Sequence, residues 1–219
     1  MSNAERRAVI FDLDGTLIDS HRDIAHAVNA GLRAGGLPER SVAEIKGFIG
    51  QGARHLIEQA IAPHPDHFDR VFAAWERAYA ANLLETTTLY PGLDPVLRAA
   101  AARFPGKLAV HTNKPGPFAR AIVRGLHLEQ TFARVLGSGD GPARKPDPEG
   151  ALRLLDSLEV PPEHVVYVGD TRFDVQTAHA AGLAFIGVAW GFGGSDELAQ
   201  AGAHTIARDA AALRRLLWD

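Results

Sequence analysis

Two aspartates one residue apart close a short apolar run in this chain: AVIF at 8–11 is followed by Asp12-Leu13-Asp14-Gly15-Thr16. A carboxylate can act as a nucleophile toward phosphorus and divide a hydrolysis into two easier steps. A second carboxylate two residues on can protonate the leaving oxygen and then deprotonate the attacking water. Three further clusters carry matching chemistry. Thr112, Asn113 and Lys114 follow LAVHT; Arg144-Lys145-Pro146-Asp147 follows a Gly-Ser-Gly-Asp-Gly stretch; Gly169-Asp170-Thr171-Arg172-Phe173-Asp174 follows VVYV. The Thr112 hydroxyl and the Lys145 ammonium suit the non-bridging oxygens of a phosphoryl group, where charge collects. Asp170 supplies another carboxylate, with Asp174 braced behind it. Close carboxylates repel by about 4 kcal/mol at 4 Å in a partly screened site. A hard divalent cation relieves that repulsion, and an oxygen-only ligand set beside a phosphate selects Mg²⁺. Each cluster alone also has a plainer reading: Asp-Gly forms turns, and Thr112 or Asp170 can cap a helix. Their joint occurrence favours chemistry.

These residues need elements that bring them to one place. AVIF (8–11), LAVHT (108–112), ARVLG (133–137), VVYVG (165–169) and FIGVA (185–189) read as buried strands, with HTIA (204–207) as a weaker sixth. The helical patterns RAIVRGL, PEGALRLLDSL, VQTAHAAG and AALRRLL alternate with them. The fold class is α/β, a Rossmann-like parallel sheet covered by helices. In such a sheet ligands bind at the carboxyl ends of the strands, which is where all four clusters fall. Residues 16–89 break the rhythm. IAHAVNAGLRAG, VAEIKGFIG, ARHLIEQAI and FDRVFAAWERAYAANLL each carry helical apolar spacing, punctuated by prolines 38, 63, 65 and 91. They read as a helical domain at 16–89 inserted into an α/β core at 1–15 and 90–219; the alternative is extra helices packed beside the sheet.

Composition narrows the function classes. The 219 residues are 46% hydrophobic and 22% charged, the balance of a globular protein. A net charge of -3 without a basic block argues against nucleic acid. No apolar run reaches membrane-spanning length and no signal-peptide pattern opens the chain, so the expected partner is a small phosphorylated metabolite and the expected compartment the cytoplasm. The absence of cysteine removes disulfides, zinc–thiolate sites and thiol nucleophiles. Lysine occurs only at 46, 107, 114 and 145, which makes each one in a suggestive place worth weighing. His64 and His67 lie between prolines in a loop, and strand alternation turns His111 away from Thr112. The pattern is compatible with a monomer or a homodimer.

FDLDGTLIDS, HTNKP, RKPDPEG and GDTRFDVQTAHAAG resemble, in order, the four motifs of the haloacid dehalogenase superfamily, and the insert is similar to its helical cap domain. The resemblance implies Asp12 as nucleophile and Asp14 as acid/base. It implies Thr112 and Lys145 as phosphate binders, with Asn113 beside them. The Mg²⁺ ligands it implies are Asp12, the backbone of Asp14, and Asp170, with Asp174 nearby. TNKP together with GDTRFDVQTAHAAG is most similar to the phosphoglycolate phosphatases, whose Gly-rich cap segment resembles Gly50-Gln51-Gly52. On that likeness Arg54 either pairs with a substrate carboxylate or remains a solvated helix charge. WGFGG (190–194) sits where the family closes its pocket. Within the superfamily, mutases and pyrophosphatases share both aspartates, whereas Asp14 argues against dehalogenases. Lys46 raises the Schiff-base chemistry of phosphonoacetaldehyde hydrolases. Outside it, a phospho-accepting receiver module is the alternative, and it lacks the Asp-x-Asp arrangement.

Overall fold

Six parallel strands form the frame of the molecule, in a computed structural model that describes residues 6–141 and 143–218. In chain order the strands are β1 (Ala8–Phe11), β2 (Ile18–Asp19), β3 (Thr88–Leu89), β4 (Leu108–Pro115), β5 (Arg134–Ser138), β6 (Val165–Gly169), β7 (Ala184–Val188) and β8 (Ile206–Ala207). The sheet runs β5-β4-β1-β6-β7-β8. From central β1 the chain therefore works outward through β4 and β5, then crosses to β6 and works outward the other way. That reversal opens a crevice at the carboxyl ends of β1 and β6. β1 is in register with both neighbours, pairing Phe11 with Val110 and with Val168. Pairing of β4 with β5 is interrupted between His111 and Pro115. Thr112, Asn113 and Lys114 thus leave the ladder at the crevice.

Residues between β2 and β3 fold as helices α1 (His21–Gly35), α2 (Val42–Lys46), α3 (Ala53–Ile61) and α4 (Phe68–Ala81). They share an apolar cluster of their own, including Val28, Leu32, Ile45, Ile57, Val71, Trp75 and Tyr79. α1 crosses α4 closely because Gly31 faces it: a Cβ there would lie 2.8 Å from the Val71 carbonyl oxygen. Ser41 and Glu44 form a reciprocal capping box at the start of α2. The helical reading of 42–50 overshoots, since α2 ends at Lys46 and the chain turns through Gly47 toward Gly50.

The two connectors pair antiparallel, Ile18 with Leu89 and Asp19 with Thr88. Strands of two residues carry no readable periodicity, and the sequence reading has no counterpart for them. A clip reinforces the ribbon. Asp23, buried in the first turn of α1, accepts hydrogen bonds from the backbone N–H and hydroxyl of both Thr86 and Thr87, at 2.6–3.0 Å. Burial would raise this carboxyl, but the Thr86 and Thr87 donors outweigh it and hold it below the usual carboxylate range.

α5 (Leu93–Arg103), α6 (Gly116–Gly125), α7 (Glu149–Leu158), α8 (Arg172–Ala180), α9 (Gly194–Gln200) and α10 (Ala210–Trp218) complete the molecule. Val9 and Phe11 pack on one face with Leu97, Ile122 and Leu213 of α5, α6 and α10. Ala8 and Ile10 pack on the other with Leu154 of α7 and Ala178 of α8. Cover on both faces is why β1 reads as an unbroken apolar run rather than an alternation. Among the described residues no helix is long and apolar enough to cross a membrane.

Candidate active site

Asp12 stands at the end of β1, its amide still in the ladder to the Val168 carbonyl at 2.9 Å. Its Oδ1 accepts the Leu13 amide at 2.7 Å and lies 2.8 Å from Lys145 Nζ. Burial pushes this carboxyl up to about 7, against the pull of Lys145 and with a push from Asp174. The turn that follows depends on Gly15. Its φ is +84°, and a Cβ would fall 2.2 Å from Asp170 Oδ2. Asp14 thereby faces the same pocket as Asp12. Both Asp14 oxygens lie 2.8 Å from Lys114 Nζ, and Ser20 Oγ donates to Oδ1.

Asp170 and Asp174 come from the β6 end and the first turn of α8. Asp170 is fully buried, with Oδ1 accepting from Thr16 Oγ1 and Oδ2 from the Phe192 amide, both at 2.7 Å. Burial first, then the charges of Asp174 and Asp12, raise its carboxyl well above the ordinary range. Asp174 closes a capping box with Thr171: its Oδ2 accepts the amides of Asp170 and Thr171 and the Thr171 hydroxyl, at 2.8–3.2 Å. Its Oδ1 takes Lys145 Nζ at 2.6 Å. Lys145 is therefore a hub between two buried carboxylates, whose charges more than offset the cost of burying its ammonium.

Carboxylate oxygens of Asp12, Asp170 and Asp174 all lie within 4.8 Å of one another. The set is all oxygen, buried and strained by like charge, which fits a hard divalent cation. Within it, Asp174 is already committed to four donors, so it serves to hold Lys145 and the Thr171 turn. The Asp14 side chain is directed at Lys114 and Ser20, outside this cluster.

Thr112 is buried and lines the pocket, its Oγ1 accepting the Lys114 amide at 3.2 Å. Asn113 is a strut. Its Nδ2 donates to the carbonyls of Gly50 (2.9 Å) and Lys145 (3.1 Å), and its Oδ1 accepts the Lys145 amide at 2.9 Å. It ties the inserted helices to the loop that presents Lys145, and it lines the pocket beside Thr112. Arg54 is not brought to the pocket. Its side chain is 64% exposed, 3.1 Å from Glu58 and stacked on Phe68. Lys46 stands over the ring of Phe192, with its Nζ 5.3 Å from the centroid. His111 faces Tyr167 on the sheet face opposite Thr112, and burial drives its imidazole down to about 3, uncharged.

The roles of several residues, though not their place at the strand ends, escaped the sequence reading. Lys114, 3% exposed and named there only as part of the cluster after LAVHT, is the partner of Asp14. Ser20 and Thr16, which orient Asp14 and Asp170, are ordinary hydroxyls in sequence. The pocket's opposite wall is apolar and comes from the insert: Ile24, Ile49, Leu56, Trp75 and Tyr79, with Phe192 from the loop after β7.

Comparison with known proteins places these observations among relatives. The profile of a family described as haloacid dehalogenase-like hydrolase matches residues 9–188. The phosphoglycolate phosphatase of Pseudomonas putida is 36% identical over 192 residues, spanning 85% of this chain and 70% of that protein. That of Rhodospirillum rubrum is 37% identical over 216 residues, spanning 94% and 89%. A crystal structure described as a predicted phosphoglycolate phosphatase from Haemophilus somnus superposes with a TM-score of 0.89 at 29% identity, covering 97% of this chain and 98% of that one.

Proposed function

The chain belongs to the haloacid dehalogenase-like hydrolases, and from that premise we propose that this phosphoric monoester hydrolase is a Mg²⁺-dependent phosphatase acting on 2-phosphoglycolate through an aspartyl-phosphate at Asp12. The observation that carries the reading is the pair at the crevice: Asp12, buried and 2.8 Å from Lys145, with Asp14 two residues on and facing the same pocket. Residues 16–89 act as its cap and 1–15 with 90–219 as its catalytic core.

An Asp12 oxygen attacks phosphorus and the P–O bond to the leaving alcohol breaks. Asp14 in its protonated form gives that proton to the departing alkoxide, and Lys114 and Ser20 hold the carboxylate that results. Thr112 and Lys145 hold the non-bridging oxygens while charge accumulates on them. Asp14, now ionised, takes a proton from water, whose oxygen attacks phosphorus and releases phosphate with the Asp12 carboxylate restored. Asp12, Asp170 and the main chain of Asp14 would hold Mg²⁺, which supplies positive charge to the transferring group. Asp174 does not touch the reaction; it keeps Lys145 in place.

The pocket supports a small leaving group. Its cap wall is largely apolar and has few groups for the hydroxyls of a hexose or nucleoside. The same reading places the protein in the cytoplasm as a monomer or homodimer. A phosphate-release panel with Mg²⁺ tests it, comparing 2-phosphoglycolate, pyrophosphate, hexose phosphates and nucleotides. The highest kcat/KM is expected for 2-phosphoglycolate. A preference for pyrophosphate or a sugar phosphate contradicts the substrate, and release from none of them contradicts the phosphatase.

A further inference from the structure

Two polar atoms of α4 lack what buried polar atoms normally have. Trp75 Nε1 and Tyr79 Oη are sealed from solvent and neither donates a hydrogen bond, the only polar group near the phenol among the described residues being the Lys114 ammonium, itself a donor. Both residues are nearly fully buried, at 2% and 1% exposure, and both line the pocket that holds Asp12 and Asp14. Four apart on one helix, they share a face, and their rings stack at 5.8 Å. Orphaned buried donors are rare in folded proteins because each is a standing cost. Two on one pocket wall call for a cause.

Their chemistry says what is missing. The indole N–H can only donate. Burial pushes the Tyr79 phenol up to about 12, so it keeps its proton as well. Lys114 adds a cation, its Nζ 4.8 Å from the centre of the Tyr79 ring. This corner thus presents two neutral donors beside the Lys114–Asp14 ion pair, set in an apolar wall that includes Ile24 and Leu56. Neither donor has an acceptor. The phosphoryl group belongs at Asp12 and Lys145, so the acceptor must lie on the other half of the substrate.

We infer that Trp75 and Tyr79, with Lys114 beside them, recognise a compact anionic acceptor, a carboxylate, on the leaving-group side of the substrate. The inference rests on the phosphatase reading of this same pocket and specifies which residues choose the ester. Rigid aromatic donors serve where Arg54, turned to Glu58, does not.

The test compares 2-phosphoglycolate with ethyl phosphate, which carries a methyl group where the former has its carboxylate. The ratio of kcat/KM for the two esters is measured with Mg²⁺ in the unmodified protein, Tyr79→Phe and Trp75→Phe. Tyr79→Phe deletes one orphaned oxygen and leaves the ring, so its Tm is expected to hold or rise. The ratio is expected to fall at least tenfold in each variant, through a higher KM for 2-phosphoglycolate. An unchanged ratio overturns the assignment, whether neither ester is affected or both slow in parallel. So does an unmodified protein that prefers ethyl phosphate. Release from neither ester by the unmodified protein is a different failure, that of the phosphatase reading itself.

Discussion

Replacing Lys145 by Met removes one ammonium and leaves a side chain of similar length. Its Nζ lies 2.8 Å from Asp12 and 2.6 Å from Asp174. At an effective dielectric of about 20, each contact is worth about 6 kcal/mol before desolvation. Burying the three charges takes back most of that sum. Deleting one partner of a buried ion pair costs about 3–5 kcal/mol, because the charges left behind are unpaired. For a chain of 219 residues the unfolding entropy is about 0.46 kcal/mol/K near the midpoint. Lys145→Met is therefore expected to lower Tm by roughly 6 to 11 °C. The assay is thermal unfolding by circular dichroism in chelator, so that no added cation substitutes for the ammonium. Lys145→Met/Asp174→Asn should be less than additive, since the second change removes one of the stranded charges. A Tm within about 2 °C of the unmodified protein, or full additivity in the double variant, would refute the hub.

The remaining predictions concern the connectors and the residue left outside the pocket. Asp23→Asn should cost about 2–3 kcal/mol by weakening four hydrogen bonds from Thr86 and Thr87. Because the folded Asp23 carboxyl is held low, its contribution is present above the unfolded value near 3.9 and fades as pH falls through the lower folded value. Urea unfolding at pH 5 and pH 3 should show the unmodified protein losing stability that Asp23→Asn has already lost; equal losses would exclude the clip. Arg54→Ala should change kcat/KM for 2-phosphoglycolate less than twofold, since the side chain faces Glu58 and Phe68. A tenfold loss would return Arg54 to the substrate.

What could be read from sequence was what local pattern encodes. AVIF and VVYVG are unbroken apolar runs because helices cover both faces of the sheet, and they appear as β1 and β6 at the residues expected. The polar clusters fall at strand ends because that is where a parallel sheet leaves its crevice. Long-range pairings were not legible. Lys114 meets Asp14 across 100 positions, and Asp23 meets Thr87 across 64. No spacing rule predicts either. The antiparallel β2–β3 ribbon is too short to show a period. Arg54 is a different case, because Glu58 lies four residues further on the same helix, a pairing that helix geometry makes available from sequence alone. The two orphaned donors of α4 could not have been found this way, since Trp75 and Tyr79 sit where any core aromatic would.

Asp12 as the group that receives the phosphoryl transfer is the claim on which the rest depends. An acyl phosphate is reduced by borohydride to the alcohol, whereas a free carboxylate is not. Quenching the enzyme with borohydride during turnover of 2-phosphoglycolate and Mg²⁺, then sequencing its peptides by mass spectrometry, reads the site directly. The account predicts homoserine at position 12 and at no other aspartate, and only when both substrate and Mg²⁺ are present. Phosphate release with position 12 still aspartate, or with the label at Asp14 or Asp170, would contradict it.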